Sequence, residues 1–472
     1  MSSSTPRPAG QPFDLNIERV LEHWTVAHAI REVIANALDE HVLTDTAVPD
    51  IRKIDSAWHV TDVGRGLRRE HLTQNENREK LRSDRVIGKF GVGLKDALAT
   101  FDRHGIGVEV RSRHGDITIA KAAKHGFADI VTLHAFIAAA TDPMMAGTDV
   151  VLTGAADADI EAAKGFFLRY SGERVLEETR HGQVLSRAPT GKARIYVHGL
   201  CVAEEENFLF SYNITNLTAP LRKALNRERT NVGRGAYSDR VKAVLLDCAG
   251  REVADLLAAD LALMAEGRAH DELTMWTPVA VHACRVLNSL QEILFVTAGQ
   301  LAGGNSLVSR ARQDGCRLVV VPDTVAAKLR GLVDLTGNPV RDLGTYRTEW
   351  NDSFTFAFVA PEQLSAAERE VYEQTDAILG LAVPRARTRV GEVLVSRTMR
   401  LDRGDRECVG LWDPGEKRIV VRQDQLGDLG RYAGTLLHEL AHAVSDADDE
   451  SIAFEEQLTQ FLGTLARSSV NA

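Results

Sequence analysis

The apolar positions of residues 13–45 recur at helical spacing. Ile30, Ile34, Ala37 and Leu38 form a stripe that Leu21, Trp24 and Ala27 extend upstream. The pattern predicts one amphipathic helix over that span. Its polar side is unusual, because Glu32, Asn36 and Asp39 stand at i, i+4 and i+7 and share one face. Such a face is either solvated or presents a carboxylate, an amide and a second carboxylate to a bound ion or ligand.

Downstream, "AWHVTDVGRGL" (57–67) reads as a short strand running into a glycine turn. Residues 68–87 are polar without a clear period, as in a loop with helical pieces. "GVGLKDALATF" (91–101) opens a helix on glycine. "GVEVRSRHGDITIAKAA" (107–123) alternates like a hairpin turning at "HGD", and "ADIVTLHAFI" and "GTDVVLTG" read as further strands. One helix layer on a mixed or antiparallel sheet accounts for residues 13–155. Beyond it the pattern predicts a helix over 156–170, strands near 193–202 and a long helical stretch over 238–267. Residues 271–375 mix helix with "CRLVVVPDT" and "FTFAFVAP" strands and carry no chemical motif. From about 380, "KRIVVRQDQL" (417–426) reads as a strand followed by two helices. The fold class expected is α+β and multidomain. Its divisions are a disordered lead-in at 1–12, domains at 13–155 and 156–270, an α/β middle region at 271–379 and a last domain at 380–472.

Composition narrows the setting. A chain of 472 residues exceeds one ordinary core, and 44% hydrophobic with 26% charged residues is a globular balance. The net charge of −10 gives no global attraction to nucleic acid or anionic lipid, so no membrane partner is expected and a nucleic-acid partner is disfavoured but left open. The Arg- and Lys-rich run at 65–89 is a local exception. Cys201, Cys248, Cys284, Cys316 and Cys408 are scattered and contain no CxxC pair, which points to a reducing compartment. No apolar run approaches membrane-spanning length, and "MSSSTPRPAGQP" lacks a secretory core. A cytoplasmic location is expected.

Three further segments bear on the charged helix face. "TDVGRGL" supplies Asp62, Gly64 and Gly66; "IGKFGVGLKDAL" supplies Gly88, Gly91, Val92, Gly93 and Lys95; "AGTDVVL" supplies Gly147 and Thr148. A buried aspartate at a strand end can accept a hydrogen bond from an exocyclic amine. Glycines let backbone approach a base or phosphate closely, and Gly91 and Gly93 ahead of a helix aim amide N–H groups at phosphate oxygens. The order E-x-x-x-N-x-x-D, D-x-G-x-G, G-x-F-G-x-G-x-K and G-T resembles the GHKL ATPases, a superfamily that includes DNA gyrase, heat-shock chaperones of the Hsp ninety class, MutL, histidine kinases and MORC proteins. The resemblance spans roughly residues 13–155. It implies that Asn36 holds Mg²⁺, that Glu32 is the general base for ATP hydrolysis, and that Asp62 reads the adenine amine with help from Thr148. It further implies that residues 67–93 cover the triphosphate, with Gly91, Gly93 and Lys95 on the phosphates. "LNRERTNVGRGAYSDRV" (225–241) resembles the segment from which chaperones and MutL send a basic residue to the γ-phosphate. That role falls on Arg234 first and Arg229 second, in a transducer-like domain.

"TLLHELAHAVSDADDESIAFEEQL" carries the HExxH set His438, Glu439 and His442. At i and i+4 on a helix, the two imidazoles share one face and can share a zinc ion, while Glu439 can reach the attacking water as general base. A third ligand is needed, and the candidates are Glu455, Glu456, Asp446 and Asp449. The layout resembles gluzincin-like and HELAHA-type bacterial metallopeptidases over about residues 380–472, in which a downstream helix gives an acidic ligand. On that pattern Glu455 is expected first and Glu456 second.

Together the two resemblances imply an ATP-hydrolysing GHKL protein that controls a zinc peptidase, with ATP, Mg²⁺ and Zn²⁺ as cofactors. They also imply an ATP-dependent homodimer, a protein substrate, and a role in bacterial defence or stress response by analogy. The alternative is a nucleotide-gated clamp or chaperone with a non-catalytic metal-binding tail.

Overall fold

A computed structural model describes residues 9–15, 22–72, 80, 86–87, 93–125, 127–188, 191–225, 232–302, 306–383, 388–402 and 404–470. They form two compact units, Met1–Leu287 and Asn288–Ala472, built as a mixed α+β chain with several sheets. No described helix is long and apolar enough to cross a membrane.

The first unit begins with a seven-stranded sheet. Its strands are β1 (Gln11–Asp14), β2 (Asp50–Ile54), β3 (Ala57–Asp62), β4 (Gly107–Ser112), β5 (Asp116–Lys124), β6 (Phe127–Ala138) and β7 (Thr148–Thr153). Their order is β1-β6-β5-β4-β7-β3-β2, with every neighbouring pair antiparallel. Helices α1 (Val26–Thr44), α2 (Gly93–Arg103) and α3 (Asp157–Lys164) share one core with it. Ile30, Ile34 and Phe101 are fully enclosed there beside Val60 and Leu152. The helix expected over 13–45 is therefore wrong at its start: residues 11–14 pair with β6, and the helix begins at Val26. Gln11 and Pro12, expected in a disordered lead-in, lie in that pairing. Pro12 is tolerated because β1 is an edge strand.

A second sheet follows in the same unit: β8 (Val175–Thr179), β9 (Gly182–Leu185), β10 (Ala193–Val197), β11 (Leu200–Glu205) and β12 (Ser211–Ile214), in the order β11-β10-β12-β9-β8. Two expected helices break here. The one over 156–170 stops at Gly165, after which Phe167 bridges Leu200 in the sheet. The stretch over 238–267 divides into α4 (Ser238–Asp247) and α5 (Arg251–Leu261), because Glu177 of β8 accepts hydrogen bonds from the Ala249 and Gly250 amides at 2.6 and 2.8 Å. A carboxylate against the start of α5 satisfies donors that a continuous helix would have used internally.

The second unit holds the parallel pair β13 (Ile293–Val296) and β14 (Arg317–Val320). It also holds a four-stranded sheet ordered β15-β16-β18-β17 from β15 (Phe358–Val359), β16 (Glu392–Ser396), β17 (Gly410–Asp413) and β18 (Arg418–Arg422). Over that sheet lie α6 (Thr375–Ala382), α7 (Leu429–Ser445) and α8 (Ile452–Val470). The buried Tyr432 hydroxyl, 2.7 Å from Thr375 Oγ1, joins α7 to α6.

One buried acid of the first unit makes its stability pH-dependent. Glu272 is fully buried and accepts from the Leu209 and Phe210 amides and the Tyr212 hydroxyl, yet burial pushes its carboxyl up to about 7. Between the usual glutamate range and that value the folded chain keeps a proton the unfolded chain has released. Glu272 therefore adds stability at low pH that is lost as pH rises through about 7, on the order of 3 kcal/mol. Urea unfolding at several pH values is expected to show this decline in wild type and a flatter profile in Glu272→Gln.

Candidate functional site

The polar face of α1 is buried. Glu32 and Asp39 are shielded from solvent, and Asn36 is half-buried between them. The fully buried Arg31 donates to Glu32 Oε1 from Nε and Nη2 at 3.2 and 2.8 Å, and its guanidinium lies against the Trp24 and Phe166 rings. On its other side Glu32 meets α2, since a Cβ added to Gly93 would stand 2.2 Å from Glu32 Oε2. Lower on the face, Lys80 Nζ donates to Asn36 Oδ1 at 3.2 Å and Asp39 Oδ2 at 2.9 Å, and the Ile87 amide donates to Asp39 Oδ1 at 2.6 Å.

The sheet supplies the facing group. Asp62 and Thr148 are directly paired across β3 and β7, in step with Val60 and Val150, so they lie on the same side of the sheet as those core residues. Asp62 is buried, which raises its pKa, while its Oδ1 accepts from the Gly64 amide at 2.9 Å. Thr148 Oγ1 accepts from the Leu67 amide at 3.0 Å. Gly66 and Gly147 both take positive φ, and a Cβ at Gly147 would fall 1.9 Å from the Asp62 carbonyl oxygen. Glu40 ties this loop to α1 by accepting from the Arg65 amide and guanidinium at 2.7–2.9 Å. Burial pushes the Glu40 carboxyl up, but Arg65 outweighs it and holds the carboxyl below its ordinary range. Lys95 is buried at the start of α2, and burial lowers its pKa. Gly88, Gly91, Val92 and Arg229 lie outside the described residues.

Arg234 is differently placed from its expected role. Its guanidinium is bound by Glu205 and by Asp271, the latter at 2.6 Å, and lies over the Phe208 ring; the Glu205 carboxylate, with Asp271, holds its pKa above the ordinary arginine value. It is thus committed to carboxylates around the second sheet.

In the second unit, α7 carries the HExxH side chains on one face. His438 Nε2 and His442 Nε2 lie 3.2 and 3.3 Å from Asp449 Oδ1, and the three ligand atoms fall within 4.8 Å of one another. The Ala447 carbonyl accepts from His442 Nδ1 at 2.7 Å, which leaves Nε2 with its lone pair toward the cluster. Phe454 of α8 stacks on His442 and meets His438 edge-on. The carboxylate brought to the histidines is Asp449, whereas Glu455 and Glu456 are exposed on α8. Asp446 closes α7 in a left-handed conformation. Glu439 is buried under β17: a Cβ at Gly410 would stand 2.7 Å from its Oε1. Burial pushes Glu439 up to about 7, opposed by His442 and by the Trp412 amide.

Sequence reasoning missed Arg31, Glu40 and Lys80. Arg31 and Glu40 flank residues already singled out, and their signal was burial, which helical spacing alone does not report.

Two comparisons place the chain among known proteins. Residues 158–251, which span the second sheet and α4, match the family described as the Mycoplasma pneumoniae MPN635 N-terminal domain. A protein of Mycoplasma pneumoniae (strain ATCC 29342 / M129 / Subtype 1), described as an uncharacterized protein, is 38% identical over 238 residues, covering 49% of this chain and 96% of that protein. The chain belongs to the family of that protein. A second uncharacterized protein of the same strain is 23% identical over 341 residues, covering 66% of this chain and 93% of its own length.

The glycine at the β3–β7 junction gives a direct test of this geometry. Gly147→Ala must displace Asp62, whereas Gly105, also at positive φ, has nothing within 4 Å of an added Cβ. Urea unfolding is expected to show about 1–2 kcal/mol lost in Gly105→Ala from backbone strain alone, and a clearly larger loss in Gly147→Ala.

Proposed function

We propose that the chain is an ATP-controlled zinc metalloprotease of the GHKL-plus-HExxH type. The observation that carries this reading is the convergence of His438 Nε2, His442 Nε2 and Asp449 Oδ1 beside the buried Glu439. Two imidazoles and one carboxylate fit a zinc ion by donor type, and His442 has its other nitrogen fixed as such a ligand requires. A zinc ion held there would supply Lewis-acid polarisation of a peptide carbonyl. Glu439, raised toward neutrality, then takes the proton of the attacking water and delivers it to the leaving amine. β17 is the outer strand of its sheet, so an extended peptide adding along it would pass the Glu439 carboxylate.

In the first unit the proposed ligand is Mg-ATP. Asp62 would accept from the adenine amine, Asn36 would hold the Mg²⁺ with Asp39 beside it, and Glu32 would orient and deprotonate the attacking water. Lys80 now stands on the Asn36 and Asp39 oxygens, so a divalent cation has to displace its ammonium. Arg31 keeps the Glu32 carboxylate in one position throughout. The proposed role of ATP is to align or release the peptidase.

The test is zinc content with casein cleavage in the full chain. About one zinc per chain is expected in wild type, with loss in His438→Ala and Asp449→Asn. Glu439→Gln should keep the metal and lose cleavage, and Glu32→Ala should stop ATP turnover while sparing the zinc. A chain with ATP turnover but no zinc would favour the nucleotide-gated clamp instead.

A further inference from the structure

Outside both candidate sites, the second unit carries a cleft of about 470 Å³ lined by Glu368, Arg397, Glu407, Arg422, Gln423 and Asp424. Its place follows from the sheet. β16 and β18 are parallel and end in step, with Ser396 opposite Arg422, so Arg397 leaves β16 where Gln423 and Asp424 leave β18. A crevice outside the carboxyl ends of parallel strands is the usual ligand position in open α/β sheets, because the chain turns away there. Glu368 comes from the helix Ala366–Tyr372, and Glu407 from the segment that leads into β17.

The charges decide what such a cleft suits. The Arg422 guanidinium forks onto Asp424, from Nε at 2.7 Å and Nη2 at 2.6 Å, so that pair cancels. Glu368 caps its helix by accepting from the Ser365 amide at 2.8 Å, and it also accepts from Gln423 Nε2 at 3.1 Å. Arg397 and Glu407 remain. Among the described residues the exposed Arg397 has no carboxylate partner, and the half-buried Glu407 is paired only with Arg422, at 3.9 Å. Opposite charges that line one cleft without meeting leave a gap for a bridging ligand. A purely anionic ligand would satisfy Arg397 but face three carboxylates. A purely cationic one would satisfy Glu407 but face an uncompensated guanidinium. A ligand with both a carboxylate and an ammonium group satisfies the two at once.

We propose that this cleft binds a free α-amino acid in its zwitterionic form, with the carboxylate on the Arg397 guanidinium and the ammonium on the Glu407 carboxylate. The volume exceeds what those two groups fill, so the side chain is enclosed as well. The cleft shares no residue with the His438, His442 and Asp449 cluster and does not rest on the peptidase reading.

The experiment is isothermal titration calorimetry of the full chain with L-leucine, L-glutamine, L-glutamate and L-lysine in turn. EDTA is present, so that no metal at the histidines captures the ligand. Saturable binding of at least one amino acid, at about one per chain, is expected. Its amide and its N-acetyl derivative should each bind about tenfold more weakly, since each removes one charge-assisted pair. In Arg397→Gln the free amino acid should fall to the affinity of its amide, and in Glu407→Gln to that of its N-acetyl derivative, both at an unchanged melting temperature. Three results overturn the proposal: no saturable binding of any of the four, derivatives that bind as tightly as the parent, or wild-type affinity in both variants.

Discussion

The structure of the first unit depends on a carboxylate fixed between two helices. Glu32 leaves α1 between the Arg31 guanidinium and the bare Cα of Gly93, where any side chain would collide with it. Burying an ion is costly unless it is paired, and here the pairing cation is itself sandwiched by Trp24 and Phe166. The helix face around it follows from this. Asn36 and Asp39 can be polar and enclosed because Lys80 and the Ile87 amide supply donors, and Glu40 carries the same logic to the Arg65 loop. Asp62 and Thr148 then face this helix layer from the sheet, held by a register that Gly147 alone permits.

The second unit solves a similar problem by the same means. Glu439 is pressed against Gly410 of an edge strand and steadied by the Trp412 amide, while the histidines on either side of it in sequence turn toward Asp449. In each unit the acid proposed as a general base is buried against a glycine on a neighbouring element. A carboxylate in that setting is positioned before any ligand arrives, which is the property proton transfer requires.

Much of this was legible in the sequence because it is local. Helical spacing put Glu32, Asn36 and Asp39 on one face, and i, i+4 put His438 beside His442. The alternating run at 107–123 paired as the expected hairpin. What failed was non-local. Residues 11 and 12 read as lead-in, and 13 and 14 as the start of a helix, because their pairing partner lies more than a hundred residues away in β6. The stretch 238–267 read as continuous because the Glu177 carboxylate that breaks it comes from β8. Among four acidic candidates, Asp449 is the one the chain's path brings to the histidines; Glu455 was expected first from the resemblance to peptidases with an acidic ligand on a downstream helix, and a family pattern does not report the course of this connector. Arg234 sits in the expected segment, yet Glu205 and Asp271, distant in sequence, claim its guanidinium.

The central claim is that the buried face of α1 and the Asp62–Thr148 pair form one nucleotide site. It is tested most directly by calorimetric titration of the full chain with Mg-ATP, wild type beside Asp62→Asn. About one nucleotide bound per wild-type chain, with binding lost in an Asp62→Asn variant of unchanged melting temperature, is the result the account predicts. No binding in the wild type, or equal affinity in the variant, would contradict it.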